Sequence, residues 1–290
     1  MATVAPLQTL TIGTTRVTYL PDGELYMSPA NSFPDVAAAD WQPYTSMMDA
    51  DGRLVGSVGA HVIQTDSQTI LVDAGNGPHV IDHGMVFVSG GELLDNLKRL
   101  GLTPDDIDIL FYTHLHIDHV GWTGRIANET HTYTFPHARY LVRSAEWHRF
   151  DKRTSTGPFG IAETLRLLAP RIEFIEDGQS LASGITVVAA PGHTIGHAAL
   201  LIQPLEDGGE RLIILGDALH SPVELDHPDW ASSLDDDSQQ TEQTRRSLLH
   251  ELAVPNTIGS CIHFPNSAFG RLLPGEDGRY QWQTETSART

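Results

Sequence analysis

Short runs of aliphatic and β-branched residues alternate with turn residues along the chain, and this pattern predicts strands. Residues 9–12 and 16–20 form the first two runs, and the second is expected to end at the turn Pro21-Asp22-Gly23. Several later runs end in a polar turn that carries histidine or aspartate. The predicted later strands cover residues 59–64, 69–73, 107–113, 138–142, 185–190, 211–215 and 257–263.

Helices are predicted between these strands from a different spacing. Leucines recur at helical intervals over residues 91–100, and Gly101 is expected to end that helix. Residues 235–252 form a longer helix that starts with acidic side chains, which suit the positive end of the helix dipole. The pattern favours an α/β chain with one domain over residues 1–290, in which two sheets carry helices outside and the chemistry collects at one shared edge. Two shorter helices are predicted at residues 144–150 and 161–168.

Residues 28–50 follow neither pattern. Pro29, Pro34 and Pro43 interrupt the segment, and aromatic residues are scattered through it. Loops of this length are uncommon unless they carry a function or an interface. The segment is therefore either a long surface loop or an arm that packs on a partner subunit, and the second alternative implies a homodimer.

Composition and charge narrow the class of partner. The 290 residues include 18 lysines and arginines against 37 aspartates and glutamates, which gives a formal net charge of −19. Such a surface repels nucleic-acid phosphates and anionic lipid, so the expected partner is a small molecule. The sequence has one cysteine, no basic n-region in residues 1–10, and no run near the roughly 20 apolar residues of a membrane span. We therefore expect a cytoplasmic protein.

The 15 histidines matter because several of them are clustered. His114, His116, Asp118 and His119 directly follow the strand predicted at residues 107–113. Positions 114 and 116 of an extended chain face one side, and a turn after them lets Asp118 and His119 face a neighbouring point. Imidazole and carboxylate groups together suit Zn²⁺, and also Fe, Mn or Co. The alternative, a polar surface turn, is weakened by three further candidate ligands.

Three later strands each end in one candidate ligand. His193 follows a glycine, whose backbone freedom can aim the imidazole inward. Asp217 follows an aliphatic strand, where its two oxygens can serve one metal each, and His263 follows the apolar run 258–262 at the end of the last predicted strand. The sequence thus predicts seven ligands and two divalent metal ions, with Asp217 as the bridge. His197 and Cys261 are expected to have structural roles.

The segments that carry these residues resemble the metallo-β-lactamase superfamily. They are Thr113-His114-Leu115-His116-Ile117-Asp118-His119, Pro191-Gly192-His193, Gly216-Asp217 and Ile262-His263-Phe264. The resemblance implies a four-layer αββα sandwich, and a hydroxide that bridges the metals together with Asp217. It places His114, His116 and His193 on one metal, and Asp118, His119 and His263 on the other. It also implies that Asp73 supports a ligand histidine, which agrees with the need to fix the second nitrogen of each imidazole.

Within the superfamily, the chain is similar to the methyl parathion hydrolase-like and quorum-quenching lactonase branch. The segments that carry this similarity are residues 216–220, 259–265, 269–272 and 278–282. That resemblance implies a hydrolase of lactones or related esters, with organophosphate triesters as the alternative substrate class. Asp118 is then both a ligand and the candidate proton carrier. Two alternatives to a hydrolase remain. One is a single-iron enzyme that resembles persulfide dioxygenases, and the other is a non-catalytic binding module.

Three side chains near the ligands are candidates for the substrate pocket. Trp122 lies just past the histidine cluster, His220 lies three residues past Asp217, and Phe264 follows His263. An apolar wall at Trp122 would suit an acyl-lactone or an aryl ester. The alternative role of Trp122 is ordinary core packing.

Overall fold

The structure, a computed structural model, describes residues 1–150, 161–204, 208–274 and 280–285. Residues 278 and 279 of the predicted tail segment 278–282 lie outside the described residues. Within the described ranges, no helix is both long enough and apolar enough to cross a membrane.

The first half of the chain supplies a large mixed sheet and a small hairpin. In chain order its described strands are β1 (Gln8–Ile12), β2 (Thr15–Met27), β3 (Leu54–Gln64), β4 (Thr69–Val72), β5 (Val80–Asp82), β6 (Val86–Ser89), β7 (Ile109–Phe111), β8 (Gly124–Ala127), β9 (Thr130–Tyr133), β10 (Arg139–Val142) and β11 (Ile172–Phe174). The sheet has the order β11-β10-β7-β4-β3-β2-β6-β5, and β1 pairs with the first part of β2. Strands β8 and β9 form the hairpin.

The second half supplies a second sheet. Its described strands are β12 (Ser180–Ala182), β13 (Ile185–Ala189), β14 (Ala198–Ile202), β15 (Arg211–Ile214), β16 (Thr257–Ser260), β17 (Phe269–Pro274) and β18 (Tyr280–Thr284). They lie side by side in chain order. Strands β15 and β16 run parallel, because the connection between them crosses over through a long helix.

Seven α-helices and three 3₁₀ helices lie in the described ranges. The α-helices are α1 (Pro29–Ser32), α2 (Leu93–Arg99), α3 (Ile117–Val120), α4 (Ser144–Arg149), α5 (Ala162–Leu168), α6 (Val223–Asp226) and α7 (Ser238–Leu252). The 3₁₀ helices are Ala38–Met47, Pro104–Asp106 and Gly216–Ala218. Helix α7 begins three residues later than predicted, because Asp237 caps it by accepting the N–H of Gln240.

Three buried clusters show how the sheets and helices are layered. The central cluster lies between the sheets and includes Ile63 and Phe111 of the first and Val187 and Ile214 of the second. Another cluster joins the outer face of the first sheet to α2 and α5, and a third joins the outer face of the second sheet to α7. Successive side chains of a strand face opposite sides, so Leu110 packs outward and Phe111 inward. The αββα sandwich is confirmed.

The turn predicted at Pro21-Asp22-Gly23 is wrong, because β2 continues through it. The register with β3 shifts between Pro21 and Gly23, which is a bulge. Asp22 is fully buried there. Its carboxylate accepts the backbone N–H groups of Asn76, Gly77, Gly91 and Leu93. A residue that looks like a turn former thus organises the loop after β4 and the start of α2.

The segment 28–50 packs on its own chain. It contains α1 and the 3₁₀ helix Ala38–Met47, and Phe33, Trp41 and Tyr44 are buried. Trp41 and Tyr44 both contact the ring of Trp230 edge-on. The segment is therefore not a free surface loop. The homodimer stays a prediction, which light scattering of the purified protein tests.

The predicted ligands, and Asp73 that is predicted to support one of them, lie where strands of both sheets end. Strand β4 leads into Asp73, β7 into His114, β13 into His193, β15 into Asp217 and β16 into His263. Polar side chains from distant parts of the sequence are therefore brought to one edge of the sandwich.

Candidate metal centre

The first group of converging side chains holds three histidines. His193 Nε2 lies 3.2 Å from His114 Nε2 and 2.9 Å from His116 Nδ1. A tetrahedral metal with bonds of about 2.0–2.1 Å to nitrogen keeps its ligand atoms about 3.3 Å apart, so one ion can contact all three nitrogens. Asp217 completes the group, because its Oδ2 lies 3.5 Å from His193 Nε2 and 3.7 Å from His114 Nε2.

The second group holds two histidines and an aspartate. Asp118 Oδ2 lies 3.7 Å from His119 Nε2 and 3.6 Å from His263 Nε2. Helix α3 begins directly after His116, and this change of direction separates Asp118 and His119 from the histidines of the first group. One hexapeptide therefore supplies ligand atoms to both groups.

Asp217 lies between the two groups. Its Oδ1 is 3.2 Å from His119 Nε2, and its Oδ2 is 3.1 Å from His263 Nε2. Both His119 Nε2 and Asp217 Oδ1 are buried, and neither makes a hydrogen bond of acceptable geometry with any described residue. Buried polar atoms without partners are costly, and a bound cation supplies the missing interaction. The side chains therefore fit two divalent metal ions that share Asp217.

In three of the candidate ligand histidines, the ring nitrogen that faces away from the metal position contacts another oxygen of the protein. These contacts are His119 Nδ1 with Asp73 Oδ2 at 2.9 Å, His193 Nδ1 with Asp235 Oδ1 at 3.1 Å, and His263 Nδ1 with the Ser57 carbonyl at 2.8 Å. Such contacts fix the ring orientation and leave Nε2 directed at the metal position. Ser57 and Asp235 were missed by sequence reasoning, because their partners lie far away in the chain.

Asp73 orients one histidine in each group. Its backbone has a φ of 63°, a conformation that aspartate tolerates better than most residues. The carboxylate accepts the Thr113 N–H at 2.8 Å and the Thr113 hydroxyl at 2.9 Å, in addition to its contact with His119. The same hydroxyl lies 3.1 Å from His114 Nδ1. Thr113 was not identified from the sequence.

His197 holds Asp217 in place. Its Nε2 accepts the backbone N–H of Asp217 at 2.9 Å, and its Nδ1 lies 2.9 Å from the Ala190 carbonyl. Both ring nitrogens of a neutral imidazole are thus used. Gly216 permits this contact, because a Cβ there would lie 2.4 Å from His197 Nε2.

Burial keeps the imidazoles of the first group uncharged. It lowers the pKa of His114 and of His193 well below the usual histidine value, and that of His116 to about 3. Their inward-facing nitrogens are therefore free to coordinate a metal at neutral pH.

In the second group, neighbouring charges outweigh the effect of burial on the pKa values. Burial alone would lower the pKa of His119, but the carboxylates of Asp217, Asp118 and Asp73 raise it well above its usual value. Burial would likewise raise the pKa of Asp217, but the neighbouring imidazoles hold it well below its usual range. A metal ion must therefore displace a proton from His119 when it binds.

A buried arginine lies behind the site. Arg245 on α7 is 1% exposed, and its guanidinium is 3.0 Å from Asp235 Oδ2 and 2.7 Å from Glu224 Oε1. Glu224 also accepts the backbone N–H of His220. The sequence did contain a signal, because Arg245 shares the buried face of α7 with Leu248 and Leu252.

Five of the seven candidate ligands line a cavity of about 510 Å³, which is of a size that holds a small molecule. They are His116, Asp118, His193, Asp217 and His263. Apolar side chains from both halves of the chain contribute to its wall. They include Leu25, Ile81, Val86, Val88, Phe150 and Leu234.

The three predicted pocket residues have different positions. His220 lines the cavity, and its Nε2 lies 3.7 Å from Asp217 Oδ2. Trp122 packs in the cluster under the first sheet, and its Nε1 donates to Asp22 at 2.9 Å. Phe264 is buried against Trp282 in the third cluster. Neither Trp122 nor Phe264 is among the described residues that line the cavity.

Comparison with known proteins relates this site to others. Residues 54–258 match the metallo-β-lactamase superfamily. An N-acyl homoserine lactonase of Bacillus cereus is 25% identical over 201 residues, which cover 64% of this chain and 72% of that protein. The hydrolase AbOPH in the β-lactamase superfamily has a TM-score of 0.82 at 25% identity, with 98% of this chain and 99% of that chain covered. AidC, a dizinc quorum-quenching lactonase, has a TM-score of 0.81 at 22% identity with the same coverage, and this likeness concerns the fold.

Proposed function

The chain belongs to the metallo-β-lactamase superfamily and is a metallo-hydrolase, and we propose that it hydrolyses lactones with two divalent metal ions, most simply zinc. The observation that supports this proposal most directly is the convergence of candidate ligand atoms in two groups that share Asp217. The first group holds His114, His116 and His193, the second holds Asp118, His119 and His263, and Asp217 lies between them. The lactonase from Bacillus cereus and the fold of AidC support the choice of a lactone.

The protein contributes orientation and proton transfer. When bound, two divalent ions would lower the pKa of a water molecule and would stabilise negative charge on substrate oxygens. Asp118 lines the cavity, and its side chain is 16% exposed, so it can contact both a water molecule and a substrate. We assign to Asp118 the acceptance of a proton from the attacking water and its return to the departing ring oxygen.

The cavity supports a partly apolar substrate. Its apolar wall would bind an acyl chain, and the two other carboxylates that line it, Asp235 and Asp236, are paired with Arg245 and Arg149. An N-acyl lactone has this character. A phosphotriester with aryl groups is the second candidate, because it is also partly apolar and because the same ligand set can serve a phosphoryl centre.

A substrate screen with metal analysis tests the proposal. The purified, zinc-loaded protein is assayed on an N-acyl homoserine lactone, an aryl ester and a paraoxon-type triester. We expect a kcat/KM of about 10⁴ M⁻¹s⁻¹ or more on the lactone, and lower values on the other two. No lactone turnover by protein that binds two metals would overturn the proposal. Preferred turnover of the triester would favour the second candidate, and one tightly bound iron per chain would favour a dioxygenase.

A further inference from the structure

Glu146 is a buried carboxylate that is not among the proposed ligands. It lies in α4 and is 0% exposed. We propose that Glu146 is a positioning residue, which holds the two loops that carry the histidines of the first metal group at a fixed separation. This inference rests on the proposed metal centre.

One oxygen of Glu146 holds the loop after β7. Its Oε1 accepts the backbone N–H of Leu115 at 3.0 Å. Leu115 stands between His114 and His116, so its peptide groups connect the two histidines. Rotation of that segment would move both imidazoles, and the contact with Glu146 restrains it.

The other oxygen holds the loop after β13. Glu146 Oε2 accepts the hydroxyl of Thr194 at 2.6 Å, and Thr194 directly follows His193. The loop lies unusually close to α4, because a Cβ on Gly196 would be 2.0 Å from the backbone nitrogen of Glu146. Arg143, just before α4, adds a contact of 3.3 Å from its guanidinium to the carbonyl of His197.

A glutamate suits this position because each of its oxygens serves a different loop. Burial of a charge is unfavourable unless the charge is paired, and the guanidinium of Arg149 lies 3.3 Å from Glu146 Oε1. The nitrogens of His193 and His116 are 2.9 Å apart, so a small displacement of either loop would alter the ligand geometry. Residues that orient metal ligands in this way typically change metal affinity by about 10–100-fold when they are replaced.

Two substitutions separate hydrogen bonding from packing. Glu146→Gln keeps an acceptor for Leu115, and its amide can donate to the Thr194 oxygen. Glu146→Met has a similar volume but neither acceptor. Glu163→Met is the matched control, because Glu163 lies on α5 and accepts the N–H of Ile126, which belongs to neither ligand loop.

The readouts are the zinc dissociation constant, measured by competition with a chromophoric chelator, and the visible absorption spectrum of the cobalt-loaded protein. We expect Glu146→Met to weaken zinc binding about 10–100-fold and to change the cobalt spectrum, and we expect Glu146→Gln to remain within about threefold of the unmodified protein. Glu163→Met should change neither quantity. Circular dichroism verifies that each variant is folded.

If Glu146→Met does not fold, Thr194→Val and Thr194→Ser decide the question. Valine removes the hydroxyl and should weaken zinc binding, whereas serine should preserve it. Unchanged zinc affinity in Glu146→Met, or in Thr194→Val when that pair decides, would overturn the positioning role. That result would be distinct from failure of the proposed function, in which the unmodified protein itself would bind no metal pair or would not open a lactone.

Discussion

Replacement of Asp73 by asparagine should selectively weaken the second metal. The positive φ of Asp73 is compatible with asparagine, so the backbone can stay in place. An asparagine oxygen can still accept the Thr113 N–H, and its amide can donate to the Thr113 hydroxyl. The amide nitrogen cannot accept the hydrogen bond of His119 Nδ1. In the unmodified protein that nitrogen lies 2.9 Å from a carboxylate oxygen of Asp73. The loss is therefore confined to the orientation of His119.

The expected size of the effect follows from that one contact. Loss of a group that orients a ligand histidine lowers metal affinity by about 10–100-fold, which corresponds to about 1.4–2.8 kcal/mol. The protein should then retain one metal after dialysis against a weak chelator and lose the other. Elemental analysis and chelator competition measure both changes.

Asp108→Asn is the matched control for this experiment. Asp108 lies at the opposite end of the same strand pair, where its carboxylate accepts the Thr69 N–H at 2.8 Å. Its replacement should leave both metals bound. Two metals bound to Asp73→Asn with unchanged dissociation constants would refute the reasoning, because Asp73 would then not orient His119.

Three further predictions concern other parts of the molecule. Burial lowers the pKa of His61 to about 3, so below pH 6.5 the unfolded chain binds a proton that the folded chain excludes and stability is lost as pH falls. His61→Gln should reduce the loss of unfolding free energy between pH 6.5 and pH 5 by about 1.6 kcal/mol in denaturant titrations, and equal losses would contradict this. Trp122→Phe removes the donor to Asp22 and should lower the free energy of unfolding by about 1.5–3 kcal/mol. The kcat/KM on the lactone should change little. A tenfold change in kcat/KM would place Trp122 in the substrate path. Gly192→Ala should displace the His193 loop, because its Cβ would lie 2.4 Å from the Thr241 nitrogen. We expect a loss of roughly 100-fold in kcat/KM. Normal activity would show that the loop tolerates the clash.

The layered fold and the convergence of the candidate ligand segments could be predicted because their signals are local in the sequence. Each ligand segment directly follows a predicted strand, and strand ends of a layered α/β protein meet at an edge. His114 and Asp217, for example, are 103 positions apart, yet each follows its own apolar strand, β7 or β15. The pattern of the strands therefore carried information about the site.

The supporting residues could not be predicted, because their roles depend on contacts between distant segments. Glu146 and Leu115 are 31 positions apart, and nothing near either residue indicates the contact. Asp22 stands in a sequence typical of a turn, but the bulge in β2 turns its carboxylate inward. Trp122 follows the ligand cluster closely, but its N–H meets a partner in the core rather than in the cavity.

Stepwise metal restoration tests the central proposal most directly. The protein is stripped with a chelator, zinc is added in measured amounts, and bound zinc and lactone ring opening are recorded in the same samples. The proposed site predicts no turnover without metal and full turnover when two zinc ions are bound per chain. Full turnover by the stripped protein, or saturation at one zinc ion, would contradict a two-metal centre that shares Asp217.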